Sequence, residues 1–162
     1  MAIITLNNNS LTNITSLPTG VGGKVLQVVS VSHTSATSTT SITYSDIGIS
    51  ASITPSSTSN TILVNYSLNA LTYRNSSGYY RGWIKTLRGT TNIQENYFGG
   101  YLDVGTDNNL YGASNVCFID SPSSTSSLTY KLQFRVDSGG TMTISEASKK
   151  SNLILMEIEG WY

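Results

Sequence analysis

The sequence predicts an all-β protein, an antiparallel jelly-roll β-sandwich of about eight strands with an extended N-terminal arm. Three observations predict it. Apolar and polar residues alternate with period two in one segment after another, as in Asp46-Ile47-Gly48-Ile49-Ser50-Ala51-Ser52-Ile53, the pattern of half-buried strands. Such segments follow one another at intervals of about ten residues, the spacing of a sandwich or barrel. No stretch carries a 3.6-residue apolar stripe, so no helix is expected. A sandwich with another strand order is the alternative.

The first 23 residues, MAIITLNNNSLTNITSLPTGVGG, hold no charged side chain and end in a Pro18 to Gly23 breaker cluster. Their apolar residues Ile3, Ile4, Leu6, Leu11, Ile14 and Leu17 are too many for a disordered tail. Residues 1–23 are therefore expected to be a docking arm that orders against a neighbouring subunit or another protein, and residues 24–162 the folded domain. An ordinary first strand is the competing reading of the arm.

From Lys24 onward the strands begin. In KVLQVVSVSH, Val25, Val29 and Val31 share one side and Leu26 and Val28 the other, which predicts a strand buried on both faces. Ile47 to Ile53 alternates strictly and stops at Pro55. Ile62, Val64, Tyr66, Leu68 and Ala70 repeat the pattern, and the two segments are expected to form a hairpin. Tyr79 to Arg88 is a further strand, turning at Gly89. Between Asn96 and Asn115 the glycines 99, 100, 105 and 112 interrupt the alternation, and an irregular region is expected. Val116, Phe118 and Ile119 resume a strand, and Leu128–Val136, Thr141–Ser145 and Leu153–Tyr162 complete the set. The last strand runs to the final residue, so no further domain is expected after it.

Composition limits the function. Lys plus Arg equals Asp plus Glu at 9 each, and only 11% of the 162 residues are charged. That is far below the roughly 25% usual in globular domains, and Ser with Thr, about 29% of the chain, supplies the polarity instead. A chain with no concentrated stripe of Lys and Arg lacks the counterion-releasing surface that nucleic acid or an anionic membrane requires, so neither is an expected partner. Low net charge favours self-association.

Chemistry is sparse. Cys117 is the only cysteine, which rules out an intrachain disulfide and a multi-cysteine zinc site; its apolar neighbours predict a packed thiol. His33 is the sole histidine, and no Gly-x-Ser-x-Gly, His-Glu-x-x-His or P-loop pattern occurs. No spacing marks two carboxylates as an acid and nucleophile pair; Glu157 and Glu159 read as one solvated face. Asp103, Asp107 and Asn108 lack the density of a calcium loop. No catalytic residue, cofactor or metal is expected, and the protein is not expected to be an enzyme.

Aromatic residues are the stronger candidates. Tyr73, Tyr79, Tyr80, Trp83, Tyr97, Phe98, Tyr101 and Tyr111 crowd together beside Arg74, Arg81 and Arg88, and Tyr with Arg favours contact surfaces. Trp83 and Tyr130 are expected in the core. Tyr97, Tyr101 and Tyr111 are expected to contact a host glycan or another subunit.

Four strings carry a family likeness: MAIITLNNNSLTNITSLPTGVGGKVLQVV, ISASITPSSTSNTILVNYSLN, FIDSPSSTSSLTYKLQF, read as a hairpin, and the closing ILMEIEGW. Together they resemble small structural proteins of tailed bacteriophages, particularly cyanophages, whose tail-fibre-like C-terminal modules are similar to the trimeric jelly rolls of tumour necrosis factor and C1q. The resemblance spans almost the whole chain except Arg74 to Gly112. It implies a homotrimer fixed to the virion by the arm, with other virion proteins and host-surface polysaccharide as partners and a virion location after assembly in the host cytoplasm. Two roles follow: a tail- or head-appendage subunit that contacts host glycan, or a capsid decoration protein that reinforces the shell. In a trimer the closing strand would lie near the axis, which makes Trp161 and Tyr162 candidates for subunit contact.

Overall fold

A computed structural model describes the backbone of residues 24–75, 78–102, 108–137 and 140–160, and the side chains of these except 70–80 and 100–110. The candidate docking residues Ile3, Ile4, Leu6, Leu11, Ile14 and Leu17, and the candidate contact residues Trp161 and Tyr162, lie outside the described residues.

The strands are β1 (Val25–His33), β2 (Thr37–Thr39), β3 (Ser45–Ile53), β4 (Thr61–Asn75), β5 (Gly78–Arg88), β6 (Thr91–Leu102), β7 (Asn108–Asp120), β8 (Leu128–Val136), β9 (Thr141–Ile144) and β10 (Ser151–Ile158). They form two antiparallel sheets. In the first, β1, β10, β4 and β7 lie side by side; in the second the order is β3, β8, β5, β6.

Ten segments reduce to eight strands. β9 continues the line of β10 along β4, and β2 continues that of β1 along β9. The two interruptions lie level with a register shift between Leu68 and Leu71 of β4. There Ser145 takes a left-handed backbone at φ 53°, donates its N–H to Asn69 O at 3.0 Å and shares a 2.8 Å hydroxyl hydrogen bond with Ser151. Both serines are fully buried, and each polar group of this break needs such a partner.

Pairing is nested: β1 with β10, β3 with β8, β4 with β7, β5 with β6. A hairpin of eight strands rolled up on itself has this order, so the fold is the jelly roll. Its core lies between the sheets, where Ile62, Val64, Tyr66 and Leu68 of β4 and Leu153 and Leu155 of β10 meet Ile47, Ile49 and Ile53 of β3 and Tyr130, Leu132 and Phe134 of β8. Each of these is at most 2% exposed, which is why every one occupies the same phase of its strand's alternation.

Several local expectations are corrected. β3 and β4 are not a hairpin, because they belong to different sheets, and neither are β7 and β8. The expected irregular region is largely strand, since β6 runs to Leu102 and β7 starts at Asn108. Gly112 serves there as a packing residue: a Cβ on it would sit 2.8 Å from the Phe98 ring. β1 is not buried on both faces of the chain, for Leu26 is 37% and Val28 56% exposed.

Candidate functional site

Among the described residues no three His, Cys, Asp or Glu side chains gather where they could hold a metal, and no helix is long and apolar enough to cross a membrane. His33 is half-buried and pairs its Nε2 with Thr37 Oγ1 at 3.2 Å.

Among the described residues two carboxylates are withdrawn from solvent, and each serves as a tie. Glu157, on the inward face of β10, is 1% exposed, contrary to the expected solvated face. Its Oε1 accepts from the Ser56 N–H at 2.6 Å, Ser56 Oγ at 2.7 Å and Asn60 Nδ2 at 2.6 Å, and its Oε2 from Gln27 Nε2 at 2.6 Å. Burial alone would push this carboxyl up, but the donors override it and hold it at about 2. The result binds the β3–β4 connection to β1 and β10. Asp120, ending β7, accepts from Arg88 Nη1 at 2.7 and 2.8 Å and from the Tyr130 hydroxyl at 2.6 Å. Burial first, then the Asp120 carboxylate, raises Tyr130 well above the ordinary phenol range. This cluster fastens the first sheet to β5 and β8 of the second. Both sites are fully employed in holding the fold.

The outward faces of the two sheets differ in kind. On the first, the register sets Val28 beside Met156, Met156 beside Leu63 and Leu63 beside Ile119, an apolar row across four strands. The next row is Ser30, Ile154, Asn65 and Cys117, and the one after is Ser32, Asn152, Ser67 and Asn115. None of these side chains is charged. Val28 and Ile119 are 56% and 53% exposed. Cys117 is exposed here as well, not packed as expected, because β7 alternation turns Val116 and Phe118 inward and the thiol outward.

The second sheet's outer face is polar and ionic. One row runs Glu95, Lys85, Gln133, Asp46. Gln133 donates to Asp46 at 2.6 Å and first of all holds that carboxyl below its usual range. The neighbouring row runs Tyr97, Trp83, Arg135, extended by Tyr44 just before β3. The Trp83 and Tyr97 ring centroids are 5.8 Å apart. The Arg135 guanidinium lies 5.0 Å from the Trp83 ring and 5.3 Å from the Tyr44 ring, and Lys85 Nζ stands 3.9 Å over Tyr44, within cation–π range. Burial, and then the nearby Glu95, raises the Tyr44 hydroxyl to about 12.

The predicted contact residues separate. Tyr97, 64% exposed, is on the second sheet's outer face, whereas Tyr111, 62% exposed, shares the first sheet's outer face with Cys117 and Ile119. Tyr101 pairs with Tyr79 in the β5–β6 ladder, and its side chain lies outside the described set. Tyr130 is fully buried as expected. Trp83 is not core but half-buried on the outer face. Its phase, shared with Arg81 and Lys85 along β5, is the signal that could have placed it there.

The chain matches no protein-family model and no curated protein. Among solved structures it is similar to the infectious bursal virus-derived T=1 particle, at 15% identity over 81% of this chain and 35% of that one, TM-score 0.37. It is likewise similar to the VP2 subviral particle of infectious bursal disease virus, at 11% identity over 83% and 38% of the two chains, TM-score 0.37. The Gx strain of that virus gives 14% identity over 98% and 44%, TM-score 0.39. The chain thus spans less than half the length of each of these neighbours.

Proposed function

We propose that the chain is a bacteriophage virion structural protein, a trimeric tail- or head-appendage subunit. In this reading residues 1–23 dock it to the particle, the outer face of the first sheet packs against identical subunits, and the second sheet faces outward toward host-surface glycan. One observation carries the self-association: the row Val28, Met156, Leu63, Ile119 is wholly apolar, and the two rows beside it hold no charged side chain. Neighbouring copies about a symmetry axis can cover it without like-charge repulsion, and covering it removes apolar area from water. The virion assignment and the three-fold symmetry are supported by the resemblance of the four sequence strings to small phage structural proteins. Capsid decoration is the second reading, since an apolar face of this kind also suits docking onto a shell.

The single cysteine supplies a reporter, because Cys117 lies on the same face. Light scattering should give three times the chain mass, with Cys117 alkylating slowly under native conditions. Met156→Lys, which puts a charge in the middle of the row, should give monomers whose Cys117 reacts fast. A wild-type monomer with a rapidly alkylated thiol overturns the assembly reading. Antibody labelling of particles by electron microscopy then tests the virion assignment, which fails if particles carry no label. Particles made without the protein should lose adsorption; lost heat stability with normal adsorption would select decoration instead.

A further inference from the structure

The outer face of the second sheet ends in an open aromatic ring. Tyr97, Trp83, Arg135 and Tyr44 form one line in which each planar group is flanked by the next, so the inner members spend their faces on one another. The last member is different. β6 is the edge strand of its sheet, and Tyr97 is 64% exposed, leaving one side of its ring turned to solvent.

The surroundings of that ring are specific. Two residues further along the same face, Gly99 stands opposite Arg81 and leaves bare backbone beside the ring. Arg81, with 52% of its side chain exposed, lies 3.8 Å from Asp137. Asp137 in turn accepts the Trp83 indole N–H at 2.6 Å and Arg135 Nη1 at 2.8 Å, which fixes its carboxylate in place. A flat apolar ring, a shallow strip without side chains, and a guanidinium with a carboxylate at the rim match a sugar ring. The C–H face of a pyranose lies on the tyrosine, and adjacent hydroxyls, each both donor and acceptor, engage the two charged groups.

Resting on the reading that this sheet faces outward, we infer that Tyr97, Gly99, Arg81 and Asp137 form a subsite for a neutral pyranose within a polysaccharide chain. Neutral sugar is favoured because, among the described residues, the cations of this face are set against anions or rings. Arg81 and Arg135 lie beside Asp137, Lys131 is 3.2 Å from Asp46, and Lys85 lies over Tyr44. Among these residues a polyanion meets no row of unmatched positive charge.

Affinity electrophoresis of the full chain through gels holding laminarin, galactomannan, dextran or, as a polyanion, dextran sulfate tests this. At least one neutral polysaccharide should retard the protein, with retardation unchanged by 0.5 M salt. Tyr97→Ala should weaken the binding about tenfold, Tyr97→Phe should keep it, and Asp137→Asn should reduce it. Ser50→Ala, on the same face but in β3 at the opposite edge of the sheet, should leave it intact. Retardation by none of the neutral polymers, by dextran sulfate alone, or equally in wild type and Tyr97→Ala overturns the subsite. Light scattering and particle labelling report assembly without involving Tyr97, so failure of the subsite and failure of the virion reading are told apart.

Discussion

Replacing Glu157 with glutamine should turn a pH-dependent tie into a pH-independent defect. The carboxylate is 1% exposed, receives four hydrogen bonds and has its pKa held at about 2, against an ordinary 4.5. Because the folded pKa lies below the unfolded one, the stabilisation is complete above the unfolded value and disappears as pH falls through the folded value. At 1.36 kcal/mol per pKa unit the gap is worth about 3 kcal/mol, present at pH 7 and lost between about pH 4.5 and pH 2. Glutamine keeps one acceptor but turns an NH2 toward Gln27 Nε2. Gln27 cannot simply flip, since the same nitrogen also donates to Thr54 O at 2.7 Å. The variant should be less stable than wild type at pH 7 by about 2–3 kcal/mol. Denaturant unfolding of both proteins at fixed concentration, from pH 7 to pH 2, measures the difference and cancels every other titrating group. The difference should shrink steadily below pH 4.5. A difference that stays constant to pH 2 would refute the reasoning, because it would mean that Glu157 carries no depressed pKa in the folded state.

Two further sites are open to the same kind of test. Asp120→Ala strands the Arg88 guanidinium and the Tyr130 hydroxyl together, so urea unfolding should show a loss of about 3 kcal/mol, against about 1 kcal/mol for Tyr130→Phe, which removes one hydrogen bond only. Gly82 faces Met142 across the sandwich so closely that an added Cβ would collide with the sulfur. Gly82→Ala should therefore destabilise by about 1–3 kcal/mol, and adding Met142→Ala should recover part of the loss, a non-additivity that thermal unfolding can detect.

Which face of a strand is buried was legible from the sequence; which strand it pairs with was not. Ile47, Ile49, Ala51 and Ile53 point inward as their alternation demands, because burial of every second residue is a local property. Pairing is a property of the whole chain, and in a nested topology the neighbour in space is far away in sequence. Hence β3 pairs with β8 and not with β4, and adjacent segments misled the hairpin assignments. The ties escaped notice for the same reason. The partners of Glu157 are Gln27, Ser56 and Asn60, between 97 and 130 residues distant, so nothing near Glu157 announces that a charge on the inward phase is satisfied. Cys117 looked packed because its neighbours are apolar, yet neighbours in a strand face the other way.

The sequence does hold one distinction between the two sheets that only the topology makes usable. β3 and β8 alternate strictly, with Asp46, Ser50 and Ser52 or Lys131, Gln133 and Arg135 in the outward phase. β10 does not: Leu153 and Leu155 point in while Ile154, Met156 and Ile158 occupy the outward phase, and its neighbour β1 has Leu26 and Val28 there. A near-continuous apolar run belongs to a strand covered on both faces, and here the jelly roll covers one. β1 and β10 are adjacent, so their surplus apolar residues fall together instead of scattering as single exposed side chains, which would need no explanation. Leu63 of β4 and Ile119 of β7 extend the same row. Four strands from both ends and the middle of the chain thus agree on one apolar row, while the described charged side chains collect on the opposite sheet. This asymmetry between the faces is the physical ground of the proposal that neighbouring subunits pack against the first sheet while the second, with Tyr97 at its edge, meets solvent and ligand.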